Sequence, residues 1–120
     1  MFLGGRIDMA TELSLSQCFM EIGGYIFEGP FDTPLELEDH PGVYVILDVR
    51  GGNRRVVDVG EASAVMSRVK NHERKICWVQ RCRGTLKVAV HYTHPAQPAA
   101  RKQIKEDLIK EFAPPCCGSE

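Results

Sequence analysis

The feature that most constrains the fold is a pair of β-rich runs, GVYVILD (42–48) and NRRVVDVG (53–60), on either side of a short glycine turn. Branched and aromatic residues favour strands, and a glycine turn between two such runs predicts a β-hairpin. One residue departs from this pattern, because Asp58 lies within the second run and strand interiors seldom contain aspartate. The surroundings of Asp58 therefore decide what kind of site the hairpin can build.

The length of the turn sets the side of the hairpin on which Asp58 lies. A three-residue loop, 50–52, places Asp58 opposite Tyr44, whereas a two-residue Gly-Gly loop slips the register and puts them on opposite faces. We favour the three-residue loop because it also pairs Asp48 with Arg54 as opposite charges. Asp58 then lies beside Tyr44, either in a structural hydrogen bond or in a site that collects polar groups at the end of the hairpin.

The remaining elements follow from residue periodicity. A helix is predicted after Ser63, a candidate N-cap, because the apolar residues of 65–69 have helical spacing. The alternating run 85–93 predicts a third strand, and a last helix begins at Pro98 and stops before Pro114. The order β-β-α-β-α predicts an α+β fold with a small, mainly antiparallel three-stranded sheet flanked by helices. The segment before Pro41 is broken by glycines and prolines, so we expect extended segments and turns there.

Charge is distributed unevenly along the chain. Residues 1–40 contain one basic and eight acidic residues, whereas residues 41–112 contain fourteen basic and seven acidic residues, a difference of +7. This division predicts an acidic N-terminal extension, 1–40, that packs on a domain of residues 41–117. Either the basic domain binds a polyanion such as DNA, or the acidic extension covers its basic face. No apolar run approaches the roughly 20 residues of a membrane span, so we expect no membrane association and a cytoplasmic location.

The cysteines give no framework pattern. There are five of them, an odd number, and in a cytoplasmic protein reduced thiols are the default. The alternative is a metal site of Cys77, Cys82 and the nearby His72, but zinc-binding cysteines are usually separated by two to four residues. The positions are Cys18, Cys77, Cys82, Cys116 and Cys117.

Several short motifs occur in a fixed order. GVY (42–44) is followed by DVG (58–60), then by Arg68 eight residues after that glycine and by His72 four residues later. Together with the closing LIKEFAPPC, this order resembles the GIY-YIG nuclease family over about residues 41–117. The resemblance implies a DNA endonuclease, a hydrolase that uses Mg²⁺ to cleave phosphodiester bonds.

The resemblance also implies roles for individual residues. Tyr44 would position or deprotonate the attacking water, and Gly60 would let the backbone approach the scissile phosphate. Arg68 would stabilise the charge that builds on phosphorus, and His72 would relay a proton or hold the tyrosine. Lys75 continues the stripe of Arg68 and His72 along the predicted helix, and with Lys70 it is a candidate contact to the nucleic-acid backbone.

Three positions depart from the family's pattern, and one of them is Glu61, which stands where a basic residue commonly follows the glycine of the second motif. The tyrosine of the second motif is Asp58 here, which is ionised at neutral pH and is a candidate to ligate a metal or to orient water. The metal-binding glutamate of the last helix corresponds to Lys105, which cannot bind Mg²⁺. Glu106 and Glu61 are then the candidate metal ligands. We expect either a metal-dependent endonuclease weakened at these positions, or a catalytically inactive nucleic-acid-binding or protein-interaction module on the same scaffold.

Overall fold

A computed structural model describes residues 18–117 of the chain, and within that range it contains five β-strands and three α-helices. The strands are β1 (Phe19–Ile22), β2 (Tyr25–Phe31), β3 (Gly42–Arg50), β4 (Asn53–Ala62) and β5 (Thr85–Tyr92). The helices are α1 (Val65–Lys70), α2 (Lys75–Arg81) and α3 (Pro98–Phe112). A short 3₁₀ helix, Pro34–Glu36, follows β2. None of these helices is long and apolar enough to cross a membrane.

The five strands form one sheet in the order β1-β2-β5-β3-β4, and every neighbouring pair is antiparallel. The predicted α+β class and the three strands β3, β4 and β5 are confirmed, but the predicted number of strands is wrong. Residues 19–31 form a hairpin whose second strand pairs with β5. The Gly23-Gly24 pair, which we took as a break in regular structure, is the turn of that hairpin, with both residues at positive φ.

The register of the β3–β4 hairpin differs from the predicted one in two places. The turn has two residues, 51–52, so Asp48 lies opposite Arg55 and not opposite Arg54. A bulge beyond Leu47 then adds one residue to β4, and Tyr44 lies opposite Gly60. Because of this extra residue, the side chains of β4 beyond the bulge return to the faces that the three-residue loop predicts. Tyr44 and Asp58 therefore share a face as expected, although they are diagonal neighbours and not directly opposed.

The sheet has two covered faces. On one, which we call the α3 face, the central strands pack against α3; on the other, the α1–α2 face, they pack against α1 and α2. The α3 face is built mainly by Val43, Val45, Leu47, Val59, Ala89, Ile104 and Leu108. The α1–α2 face is built mainly by Tyr44, Ile46, Val65, Val69, Trp78, Val88 and Val90. The odd and even residues of β3 thus face different environments.

The helix predicted after Ser63 is broken in two. Its N-cap is Ala64 and not Ser63, α1 ends at Lys70, and α2 begins at Lys75. The side chains of Arg68, His72 and Lys75 therefore do not form a stripe on one helix, because His72 lies in the turn between α1 and α2. The last helix has its predicted start at Pro98 and ends at Phe112, before the two prolines.

Candidate functional site

Tyr44 and His72 are in direct contact under α1 and α2. Tyr44 is 1% exposed, and its hydroxyl lies 2.7 Å from Nε2 of His72. The backbone N–H of Arg74 donates to Nδ1 of the same imidazole at 3.0 Å, so the ring proton is on Nε2 and the imidazole donates to Tyr44. Burial raises the pKa of Tyr44 to about 12. Burial, followed by the charges of Arg74 and Arg68, lowers the pKa of His72 to about 4. Both groups are therefore neutral at neutral pH.

Gly60 is required by the packing of Tyr44. The two residues face each other across β3 and β4, and a Cβ atom on Gly60 would overlap the phenol ring. The phenol lies on the backbone of β4, and no other residue type leaves this space. The packing of Tyr44 alone therefore requires glycine at position 60, independently of the role that the resemblance implies.

Arg68 lies at the surface beside this pair. Its guanidinium makes a bidentate ion pair with Glu73, at 3.0 and 3.2 Å. The positive charge of Arg68 also lowers the pKa of the Tyr44 hydroxyl, although burial raises that pKa by more. The side chains of Arg68 and Glu73 are 41% and 63% exposed. Glu73 was absent from the predicted site. Its carboxylate occupies the guanidinium fork that a phosphate would use.

Asp58 is the centre of a buried hydrogen-bond network. It is 0% exposed, and it accepts hydrogen bonds from Trp78 Nε1 at 2.6 Å, Cys117 Sγ at 2.7 Å and the backbone of Val59 at 2.8 Å. Arg74 donates to both carboxylate oxygens, at 2.8 and 3.3 Å. Burial raises the pKa of Asp58, but the hydrogen bonds from Arg74, Cys117 and Trp78 outweigh it and hold the pKa below its ordinary value. Asp58 is therefore ionised and has a structural role, because both of its oxygens already accept hydrogen bonds from neighbouring residues.

The cysteines differ from the expectation of reduced thiols. Cys77 and Cys116 form a disulfide that joins α2 to the segment after α3, and the free cysteines in residues 18–117 are Cys18, Cys82 and Cys117. The bonded pair is 39 residues apart, and that separation gave no signal in the sequence. Disulfides persist mainly in oxidising environments, and the cytoplasmic location stays a prediction.

The predicted metal ligands do not come together. Glu61 lies opposite Val43 in the register, on the α3 face, and pairs with Arg101 at 2.6 Å. Glu106 lies on the exposed side of α3, which packs on that same face. Asp58 is on the α1–α2 face but is enclosed by its own donors. No group of three or more His, Cys, Asp or Glu side chains within residues 18–117 is arranged to hold a metal.

The two predicted nucleic-acid contacts lie together at the junction of α1 and α2. Lys70 ends α1 and Lys75 begins α2, both are exposed, and the Lys75 ammonium donates to the Lys70 carbonyl oxygen. They belong to the same α1–α2 side of the molecule as Arg68. Of these three cations, Arg68 is the one whose charge acts on Tyr44 and His72.

No model of a known protein family matches the chain, and neither does any curated protein or solved structure. The likeness to GIY-YIG nucleases thus stands on the motifs of the sequence alone.

Proposed function

We propose that the chain is a nucleic-acid-binding protein on a GIY-YIG-like scaffold, and that its Arg68 surface contacts backbone phosphates without metal-dependent cleavage. One observation carries this proposal: the phenol, imidazole and guanidinium of Tyr44, His72 and Arg68 are grouped, while the predicted metal ligands Glu61 and Glu106 lie elsewhere. Such a group can recognise a phosphodiester. The predicted metal ligands are not placed to add the divalent cation that neutralises the phosphate during cleavage.

The surface around Arg68 has the chemistry that phosphate recognition requires. A guanidinium presents a planar fork that matches two phosphate oxygens, and Lys70 and Lys75 add two exposed ammonium groups close by. Glu73 is the internal competitor, since its carboxylate occupies the Arg68 fork in the free protein. A phosphate would have to displace Glu73, and this exchange gives the proposal a direct test.

The Mg²⁺-dependent DNA endonuclease is the second candidate, and the 2.7 Å contact between Tyr44 and His72 favours it. The resemblance assigns both residues to one reaction, so their contact is what that function requires. Two observations weigh against it. Tyr44 is 1% exposed, and its pKa of about 12 opposes loss of the phenolic proton. A base or water-positioning group of this kind must reach the substrate.

The binding test uses fluorescence anisotropy of a labelled 12-base-pair duplex, titrated at 50 to 200 mM salt with either EDTA or Mg²⁺. We expect an affinity that falls steeply with salt and that Mg²⁺ does not increase. Arg68→Gln should weaken binding roughly tenfold, because a charged hydrogen bond contributes about 1.5 kcal/mol. Glu73→Gln should strengthen it, whereas Glu106→Gln, which removes the same charge from exposed α3, should have little effect.

A nicking assay on supercoiled plasmid separates the candidates. With Mg²⁺ or Mn²⁺ we expect no cleavage by the wild-type chain. Nicking that disappears in Arg68→Ala and in Tyr44→Phe would establish the endonuclease instead. A chain that neither binds nor nicks DNA would leave a protein-interaction module as the function of this scaffold.

A further inference from the structure

The tip of the β3–β4 hairpin holds a second group of cations, distant from Tyr44. A cleft of about 590 Å³ opens there, lined by Asp48 and by four arginines. The arginines are Arg50, Arg54, Arg55 and Arg83, and all four are exposed. We call this feature the arginine cleft. None of its arginines belongs to the motifs that resemble the nuclease family.

Asp48 fixes the shape of the cleft. It is 4% exposed and accepts hydrogen bonds from the backbone N–H groups of Arg83 at 3.1 Å and Gly84 at 2.8 Å, and from the Arg55 guanidinium at 3.1 Å. These contacts, that from Arg83 first, hold the pKa of Asp48 well below its usual range. Asp48 thus ties the loop after α2 to the hairpin and orients Arg55. Its own acceptor capacity is already used.

The arginine cleft carries uncompensated positive charge. Elsewhere in the described chain, Arg74 pairs with Asp58 and Arg101 pairs with Glu61. Four arginines and one carboxylate line the cleft, and Arg50, Arg54 and Arg83 form no ion pair with any residue of 18–117. Like charges held this close by the fold repel one another, and a bound anion relieves that repulsion.

The cleft lies on the same side of the sheet as Arg68. Tyr44 and Asp48 are both even-numbered residues of β3, a strand without an extra residue of its own, so both face α1 and α2. The six residue steps from Tyr44 to Arg50 span about 20 Å at roughly 3.3 Å per step. That length corresponds to about six base pairs of duplex at roughly 3.4 Å each. One short duplex can therefore reach both groups of cations.

We propose that the arginine cleft is a second phosphate-binding region, which contacts the backbone of the same nucleic acid some six base pairs from Arg68. This inference rests on the proposed function. It adds that most of the contacts between protein cations and backbone phosphates form at the arginine cleft. Guanidiniums bind phosphate oxygens in pairs, and the bound phosphates supply the anions that the cleft lacks.

The test compares two double variants with the same loss of charge. Arg50→Gln with Arg83→Gln removes two cations of the cleft whose side chains make no ion pair with any residue of 18–117. Lys102→Gln with Lys110→Gln removes two exposed cations from α3. In anisotropy titrations with the 12-base-pair duplex, the cleft variant should bind roughly tenfold more weakly at 100 mM salt. Its slope of log affinity against log salt should become shallower by about 1.8, since each phosphate contact contributes about 0.9.

The possible outcomes distinguish this inference from the proposed function. The α3 variant should keep the wild-type slope, and both variants should keep the wild-type melting temperature. If Arg68→Gln weakens binding but the cleft variant behaves like the α3 variant, the cleft inference is overturned and the proposed function stands. If the wild-type chain does not bind the duplex at all, both are overturned.

Discussion

Two parts of the β3–β4 hairpin each contain a buried aspartate on the α1–α2 face, and they use it differently. Next to Tyr44, Asp58 is bonded by Trp78 and Cys117 and by Arg74, whose side chain is only 19% exposed. At the tip, Asp48 is bonded by backbone N–H groups and by Arg55, whose side chain is 52% exposed. The first arrangement is closed, whereas the second lies at the base of an open cationic surface.

The buried residues next to Tyr44, which match the nuclease motifs, bond to one another. The arginines at the tip match no motif and still have donors to offer a ligand. In the closed part the polar groups satisfy one another: His72 donates to Tyr44, and Asp58 neutralises Arg74. Buried networks of this kind hold a unique geometry, and they are costly when one member is lost. At the tip, Arg50, Arg54 and Arg83 have no ion-pair partner among residues 18–117. The three predictions that follow compare the two parts, beginning with the largest effect.

The first prediction compares the two aspartates. Asp58→Asn should lower the free energy of unfolding by about 3–5 kcal/mol, because the amide removes the negative charge that pairs with Arg74 and leaves one acceptor oxygen where the buried carboxylate has two. Asp48→Asn should cost only about 1–2 kcal/mol, since solvent can hydrate the exposed Arg55. Urea denaturation followed by tryptophan fluorescence measures both, and Trp78 is the single tryptophan.

Equal losses in the two variants would contradict the distinction between a closed and an open part. A larger loss for Asp48→Asn would reverse it, and would mean that the loop after α2 depends on this carboxylate more than the core depends on Asp58.

Local patterns predicted the elements whose structure depends on neighbours in sequence. The alternation of β3, β4 and β5 and the apolar stripe of α3 were sufficient to place those elements, and the contact between Tyr44 and His72 is one that the resemblance implied. The split of the predicted helix was missed, because residues 65–75 carry neither glycine nor proline to mark the turn between α1 and α2.

Features that depend on distant partners were not predictable. Residues 19–31 are strands because β2 finds a partner in β5, nearly 60 residues further along the chain, as in the Glu28–Val90 pair. The bulge in β4 has no clear sequence signature. Arg74 and Cys117 are partners of Asp58 only through tertiary packing, and the Cys77–Cys116 pair lacks any characteristic spacing. Glu73 was missed because residues five apart on one continuous helix do not face each other, and its pair with Arg68 forms only because α1 ends at Lys70.

The second prediction compares two glycines of the same hairpin. Gly60→Ala should lower the free energy of unfolding by about 1–3 kcal/mol, because the added methyl overlaps the Tyr44 ring. Gly52→Ala, at the tip, has open space around it and should be neutral or slightly stabilising. Thermal melts of the two variants beside the wild-type chain measure the difference. If Gly60→Ala were as stable as Gly52→Ala, Tyr44 would not be held against β4.

The third prediction uses pH to separate the two parts. His72 has a pKa of about 4 in the folded chain, against an ordinary value of 6.5, because burial disfavours its charged form. The unfolded chain therefore binds more protons between pH 6.5 and pH 4, and the stability that neutral His72 provides is complete above pH 6.5 and falls as the pH is lowered towards 4. The slope is at most about 1.4 kcal/mol per pH unit.

The matched variant His72→Gln keeps a donor for Tyr44 but does not titrate, so its stability should vary less between pH 6.5 and pH 4 than that of the wild-type chain. Below about pH 4 the two chains should lose stability in parallel, because Asp48 and Asp58 have lowered pKa values and begin to release their partners only there. Urea midpoints measured at half-unit steps of pH test both ranges. Identical slopes above pH 4 would mean that His72 is hydrated in the folded chain, and the part of the hairpin next to Tyr44 would then be open to a substrate after all.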